Sequence, residues 1–348
     1  MTQPGSQVEL DAKPRIAIAA GDVAGVGPEI SIKAALDPRT NAICRPILVC
    51  DGDIVRRHAQ ACGIKADIAV IAEPEDADWS SPVLNVLACP VPEAARLDYG
   101  STDASSGRAS LAFCRAAIRA ALAGHVDAVV AAPQNQTAIS LAGIAFDGYP
   151  SFVARETGLD PDDVYLMLCF DRFRIVHATL HASVSRALSM ISRRKVSHAI
   201  QVTDQALKRL GVSAPRICVG GLNPHAGEGG LFGREEIESI GPAVADAAAR
   251  GIAVVGPFGT DTMFHRSDVD AFVVMLHDQG HIAAKLLARN ATAGLAIGSP
   301  ILFSSVAHGS AHDIAGKGIA KPEAMIEAIR RLAAARPGAD RKQPRPAR

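Results

Sequence analysis

The chain carries no excess charge: its 348 residues hold 36 lysines and arginines against 36 aspartates and glutamates. No global field therefore draws it to nucleic acid or an anionic membrane, and its expected partner is a small molecule or a second copy of itself. Paired cysteine motifs are missing as well. The seven cysteines (Cys44, Cys50, Cys62, Cys89, Cys114, Cys169 and Cys218) are odd in number, scattered and free of any CxxC. They read as small buried hydrophobes in a reducing cytoplasm, not as zinc ligands or disulfides. Residues 1–13 contain no apolar core of a signal peptide, and no run reaches the length of a membrane span, so a cytoplasmic protein is expected. No internal repeat is visible. What the sequence does have is 48% hydrophobic and 21% charged residues, the balance of a soluble globular protein with a substantial core.

Apolar β-rich runs alternate with helical patterns along most of the chain. Strands are predicted at 15–20, 47–50, 67–71, 128–132, 164–170, 175–179, 216–219, 253–255 and 271–275, and helices at 28–36, 53–61, 106–123, 192–210, 234–250 and 322–335. The alternation predicts an α/β fold with largely parallel sheets covered on both faces. Residues 1–13 and 337–348 read as disordered tails and 73–82 as a surface loop. A domain change is expected near Pro133, where strand 128–132 ends in a polar segment.

Two glycine-rich segments follow strands. Gly21-Asp22-Val23-Ala24-Gly25-Val26-Gly27-Pro28-Glu29 is neither the G-x-G-x-x-G fingerprint nor a P-loop, yet its place at a strand end predicts a wall of the active cleft. Gly221-Leu222-Asn223-Pro224-His225-Ala226-Gly227-Glu228-Gly229-Gly230 suits close backbone approach to a ligand, with His225 as metal ligand or acid/base group. Two His-x3-His pairs, His177/His181 and His277/His281, also invite a metal reading. The first begins on a strand, where residues four apart lie roughly 13 Å apart, so only one of the two can hold a given ion, and His177 reads as structural. In the second, Gly280 leaves a regular helix face unassured. His181, His225 and His277 at three strand ends can converge on one divalent ion. The turn His308-Gly309-Ser310-Ala311-His312-Asp313-Ile314-Ala315-Gly316-Lys317-Gly318 reads locally as a connector, and Lys285 as a solvated helix residue.

Taken together, the motifs at 21–29, 221–230, Asp261-Thr262, 277–280 and 308–316 resemble the 4-hydroxythreonine-4-phosphate dehydrogenase family, over residues 14 to about 335. The resemblance implies an isocitrate/isopropylmalate-dehydrogenase-like fold of two α/β/α domains with a cleft between them, 14–135 plus 290–336 forming one and 136–289 the other. It implies a homodimer with a shared active site. It also implies a divalent metal (zinc first, with magnesium, manganese or cobalt as alternatives) on His181, His225 and His277, the last from the neighbouring subunit. NAD or NADP is expected along 221–230 and 308–318, near Asn223, Gly227, Gly229, Asp261, His308 and Asp313.

Several positions depart from the vitamin-pathway pattern. Its Gly-His-Thr-Glu is Gly148-Tyr149-Pro150-Ser151 here, its Asn-Lys is Asn135-Gln136, and its substrate-binding Asn and Arg fall at Gly294 and Phe303, although its Lys is kept as Lys285. Losing an arginine fork and two donors disfavours a phosphoester. The tracts 142–151, 174–181 and 275–282 resemble a catabolic branch, the 1,2-dihydroxy-3,5-cyclohexadiene-1,4-dicarboxylate dehydrogenases. That implies metal-assisted, NAD-linked oxidation of a carboxylated cis-dihydrodiol with loss of CO2. Lys285 would pair with one carboxylate, and His281, Tyr149 or Ser151 with another; Asp278 either orients a ligand imidazole or shares the proton-transfer role with Lys285 as rival. Alternatives are a phosphorylated hydroxy-acid dehydrogenase, a non-redox metal-dependent decarboxylase or lyase, and a non-catalytic metabolite-binding protein.

Overall fold

The computed structural model describes residues 13–80, 83–288 and 292–335. The tails expected at 1–13 and 337–348 fall outside these residues, apart from Lys13, as do the last two positions of the 73–82 loop. Twelve strands are described: β1 (Arg15–Ala19), β2 (Arg45–Cys50), β3 (Asp67–Ile71), β4 (Val83–Ala88), β5 (Ala128–Ala131), β6 (Tyr165–Phe170), β7 (Phe173–His177), β8 (Arg216–Gly220), β9 (Ala253–Phe258), β10 (Ala271–Val274), β11 (Ala293–Ile297) and β12 (Leu302–Val306). The helices are α1 (Gly27–Leu36), α2 (Pro38–Ile43), α3 (Gly52–Ala61), α4 (Ala104–Ala123), α5 (Gln136–Leu141), α6 (Tyr149–Glu156), α7 (Val184–Met190), α8 (Arg193–Arg209), α9 (Gly241–Ala249), α10 (His277–Leu287) and α11 (Glu323–Ala333).

All twelve strands join one sheet in the order β3-β4-β2-β1-β5-β12-β11-β6-β7-β10-β8-β9. The expectation of parallel sheets is therefore corrected in part. Strands β3 to β12 of that order form one parallel block and β7-β10-β8-β9 another, but β11 pairs antiparallel with both β12 and β6, and β6 pairs antiparallel with β7. These three antiparallel joints make the two blocks run in opposite senses. The boundary implied between 136–289 and 290–336 falls between β11 and β6, which pair over five residues from Ala293↔Cys169 to Ile297↔Tyr165.

Local chemistry explains where the elements start. Asp51, Asp103, Asn135 and Ser192 each lend a side-chain oxygen to a main-chain N–H in the first turn of α3, α4, α5 and α8. Strands β5 and β10 are apolar and fully buried because helices cover both faces of each block. The helix expected at 234–250 is a π-turn at Glu236–Ile240 running into α9. All seven cysteines are free thiols, and no helix among the described residues is long and apolar enough to cross a membrane.

Candidate active site

Strand β10 is parallel to both of its neighbours, β7 and β8, so the carboxyl ends of all three lie on one sheet edge. His177 ends β7, His181 lies four residues beyond it, His277 opens α10 directly after β10, and β8 leads into the 221–230 loop. Four imidazoles meet there. The His277 and His281 rings stack at 3.8 Å, His177 lies 4.6 Å from His281, and His181 lies 5.9 Å from His277. Gly280 does not interrupt the helix, contrary to the doubt raised by the sequence. A Cβ there would sit 2.3 Å from His177 Nε2, so glycine is what lets α10 approach β7.

His225 is not in this cluster. Its side chain is 67% exposed, its Nδ1 faces Glu228 Oε2 at 3.7 Å, and its ring neighbour is Phe232. Among the described residues no group of three or more histidine, cysteine, aspartate or glutamate side chains is arranged to hold a metal ion within the chain. The pair brought together is His181 with His277, so the implied division, with His277 alone coming from a neighbouring subunit, does not match the grouping within the chain. The three proposed ligands do share one feature. His181 Nδ1 bonds to Asp147 O, His277 Nδ1 lies 2.6 Å from Asp278 Oδ1, and His225 Nδ1 faces Glu228, which turns each Nε2 away from these partners.

The loop carrying His225 is unusual in its backbone. Five consecutive residues, His225 to Gly229, adopt left-handed φ values of 54, 53, 79, 44 and 67°, and three of them are not glycine. The buried Glu236 carboxylate anchors its base, accepting from the N–H groups of Leu222 and Asn223 at 2.7 and 2.8 Å. The Asn223 amide donates to Glu235 and Glu236, so this side chain is committed within the protein. Gln279, which carries no role in the sequence analysis above, spans two elements. Its Oε1 accepts from the N–H groups of Met275 and Leu276, and its Nε2 donates to Gly221 O, tying α10 to the loop. Glutamine at the third helical position is the signal that could have found it. Asp261 is exposed, and a Cβ on Gly259 would meet its carboxylate at 2.7 Å and the His225 Cα at 3.7 Å.

A cavity of about 460 Å3 lies beside the histidines, over the antiparallel joint of the sheet. Tyr149, His181, His281, Lys285, Gly294 and His308 line it, and among the described residues no arginine, aspartate or glutamate does. Lys285 reaches the carbonyl of Ala307 at 3.1 Å. The Tyr149 phenol is buried and committed: it donates to Ala132 O at 2.6 Å and accepts from Gln134 Nε2 at 2.7 Å, and burial pushes its pKa well above the ordinary value. Its ring packs at 5.2 Å against the buried Phe303 and edge-on to Phe146. Ser151 lines a different cavity of about 330 Å3, on the far side of His181. Burial first, and then the neighbouring imidazoles, hold His177 at about 3 and His281 at about 4.

The 21–29 segment corrects an expectation. Every residue from Gly21 to Ile32 is buried, and none lines either cavity. It holds the 308–318 turn from behind. Val26 N donates to Ser310 O at 2.9 Å, and Asp22 bonds His312 Nε2 at 2.7 Å and the Ser106 hydroxyl. Lys33 donates to the carbonyls of Gly318 and Ala320, and to the fully buried Glu29, which also accepts from Ala320 N. His308 and Asp313 stand exposed on the turn so held.

Fold and comparisons define the chain as an oxidoreductase, a dehydrogenase on an α/β scaffold. It belongs to the pyridoxal phosphate biosynthetic protein PdxA family, whose family model matches residues 42–332. It is 40% identical over 326 residues to the 1,2-dihydroxy-3,5-cyclohexadiene-1,4-dicarboxylate dehydrogenase of a Comamonas species, covering 93% of this chain and 98% of that one. It is 37% identical to the D-threonate 4-phosphate dehydrogenase of Cupriavidus necator, covering 92% and 96%. Among solved structures, it resembles the 4-hydroxythreonine-4-phosphate dehydrogenase of Klebsiella pneumoniae (TM-score 0.83, 36% identity, covering 92% and 100%). It also resembles the terephthalate 1,2-cis-dihydrodiol dehydrogenase of Burkholderia xenovorans (TM-score 0.68, 41% identity, covering 92% and 98%). The fold is thus the α/β architecture of these dehydrogenases.

Proposed function

We propose that the chain is a metal-dependent, NAD-linked dehydrogenase that oxidises a carboxylated cis-dihydrodiol with loss of CO2, terephthalate dihydrodiol yielding protocatechuate. The observation that carries this reading is the cavity wall. One ammonium, Lys285, faces an aromatic side built by Phe146 and Tyr149 and backed by Phe303, and among the described residues no guanidinium lines the cavity. A six-membered carbon ring bearing a carboxylate suits that wall, whereas a phosphate dianion would lack the forked donor it favours.

Three imidazoles with Nδ1 facing an oxygen fit a divalent ion, zinc first and magnesium, manganese or cobalt next. His181 and His277 would hold it, with the third imidazole coming from a second copy of the chain in a homodimer. Bound there, the metal supplies Lewis acidity toward substrate oxygens, and NAD or NADP along 221–230 and 308–318 supplies the hydride acceptor. The chain's own groups do the placing. Lys285 pairs with a substrate carboxylate, and Asp278 orients His277. The two halves, 14–135 with 290–336 and 136–289, wall the cleft. Oxidising the secondary hydroxyl creates a ketone β to a carboxylate; loss of CO2 then gives an enol whose ring is aromatic.

A second reading, a phosphorylated hydroxy-acid dehydrogenase, is favoured by the D-threonate 4-phosphate relatives. The deciding experiment measures NADH and CO2 with terephthalate dihydrodiol, threonate 4-phosphate and 4-phosphohydroxythreonine in turn. Equimolar NADH and CO2 from the dihydrodiol are expected. Turnover of the phosphorylated acids alone would overturn the proposal, and CO2 release with NAD+ omitted would mark a non-redox decarboxylase.

A further inference from the structure

Two contacts to main-chain carbonyls fix where the protons of the buried imidazole pair lie. His177 Nδ1 is 3.3 Å from Leu166 O, and His281 Nδ1 is 3.2 Å from His277 O. A carbonyl oxygen only accepts, so both Nδ1 atoms carry hydrogen. His281 Nδ1 also faces His177 Nε2 at 3.1 Å, and that contact requires a bare Nε2 on His177. His177 is therefore a neutral acceptor that holds the orientation of His281, and the ring atom of His281 left uncommitted is Nε2.

We infer that His281 presents a bare Nε2 to the cavity and that this atom accepts a hydrogen bond from a substrate hydroxyl, making His281 a specificity-determining residue and His177 the residue that positions it. A bare ring nitrogen has no hydrogen to offer a carboxylate, so the carboxylate role expected of His281 falls to Lys285 alone. The inference rests on the reading under Proposed function for the ring that carries the hydroxyl, but its hydrogen-bond logic comes from the imidazole pair itself.

The test uses the metal-loaded enzyme and two variants: His281→Gln, whose amide oxygen keeps an acceptor, and His281→Met, which has none. Inhibition constants are measured for two pairs of probes. One is cis-1,2-dihydroxycyclohexane-1,4-dicarboxylate against cyclohexane-1,4-dicarboxylate; the other is threonate 4-phosphate against 4-phosphooxybutyrate. The wild type is expected to bind the hydroxylated member of at least one pair more tightly. That preference should fall about tenfold in His281→Met and less than about threefold in His281→Gln, the worth of one hydrogen bond. Metal content and melting temperature should match in all three proteins. An undiminished preference in His281→Met, metal lost from it, or a wild type indifferent to hydroxyls in both pairs would overturn the inference. Discrimination confined to the phosphorylated pair would leave the role of His281 standing and overturn the dihydrodiol reading.

Discussion

The two glycine-rich loops look alike on paper and do opposite work. Residues 21–29 are buried throughout and spend their glycines on close packing: a Cβ on Gly27 would lie 2.3 Å from Ala20 O, and one on Gly25 would lie 2.6 Å from Ser310 O. Residues 221–230 are buried only at Gly221 and Gly227 and put their backbone into the left-handed region instead, even at His225, Ala226 and Glu228. One loop is a bracket whose Asp22 and Glu29 carboxylates bond the segment packed on it. The other holds strained backbone around an exposed imidazole, the kind of arrangement that a ligand-facing element retains. Glycine content alone does not distinguish a scaffold from a site; what distinguishes these two loops is burial and backbone conformation.

The contrast can be broken by substitution. Gly27→Ala should cost about 3 kcal/mol or more through overpacking against main chain, read as lost soluble yield or a lowered denaturation midpoint. His225→Ala should do the reverse, taking activity and bound metal to background while Tm stays within about 2 °C, as expected for an exposed side chain. A fully active His225→Ala enzyme would remove the metal role from the second loop. Lys285→Met should lower kcat/KM about 10–100-fold, mainly through KM, with the loss of a charge-assisted bond to substrate. A pH-dependent effect belongs to the bracket. His58 Nε2 donates to Val23 O at 2.9 Å, and burial holds the imidazole down at about 4 against an ordinary 6.5. Between those values the unfolded chain takes up a proton that the folded chain refuses. Stability from this group is therefore intact above pH 6.5 and lost as pH falls toward 4, about 3 kcal/mol at most. Denaturation curves at pH 7 and pH 5 should show that loss, and His58→Gln should reduce it.

Much of the fold was legible because burial on both faces writes itself as unbroken apolar runs. Strands β1, β5, β8 and β10 are of this kind. Strands β11 and β12, Ala-Gly-Leu-Ala-Ile and Leu-Phe-Ser-Ser-Val, were not predicted, since glycine and paired serines dilute the pattern; their partners across the sheet supply what the local sequence does not. Helix α10 was doubted for Gly280, whose reason is a histidine about a hundred positions away in the chain. The strand-end positions of His181, His225 and His277 followed from sequence. The commitment of the Tyr149 hydroxyl, the placement of Ser151 in a separate cavity and the buried face of residues 21–29 did not, because each depends on contacts distant in sequence.

The β11–β6 ladder has a bearing on how this molecule comes apart. A segment from the last sixth of the chain, β11 with β12, lies hydrogen-bonded between β6 and β5, so neither parallel block can peel away without tearing a central seam. Hydrogen exchange should find the amides of β6 and β11 among the slowest in the protein, opening only with global unfolding. A ribosome must release nearly the whole chain before that seam can close, which makes completion of synthesis, more than any single helix, the event that commits the fold.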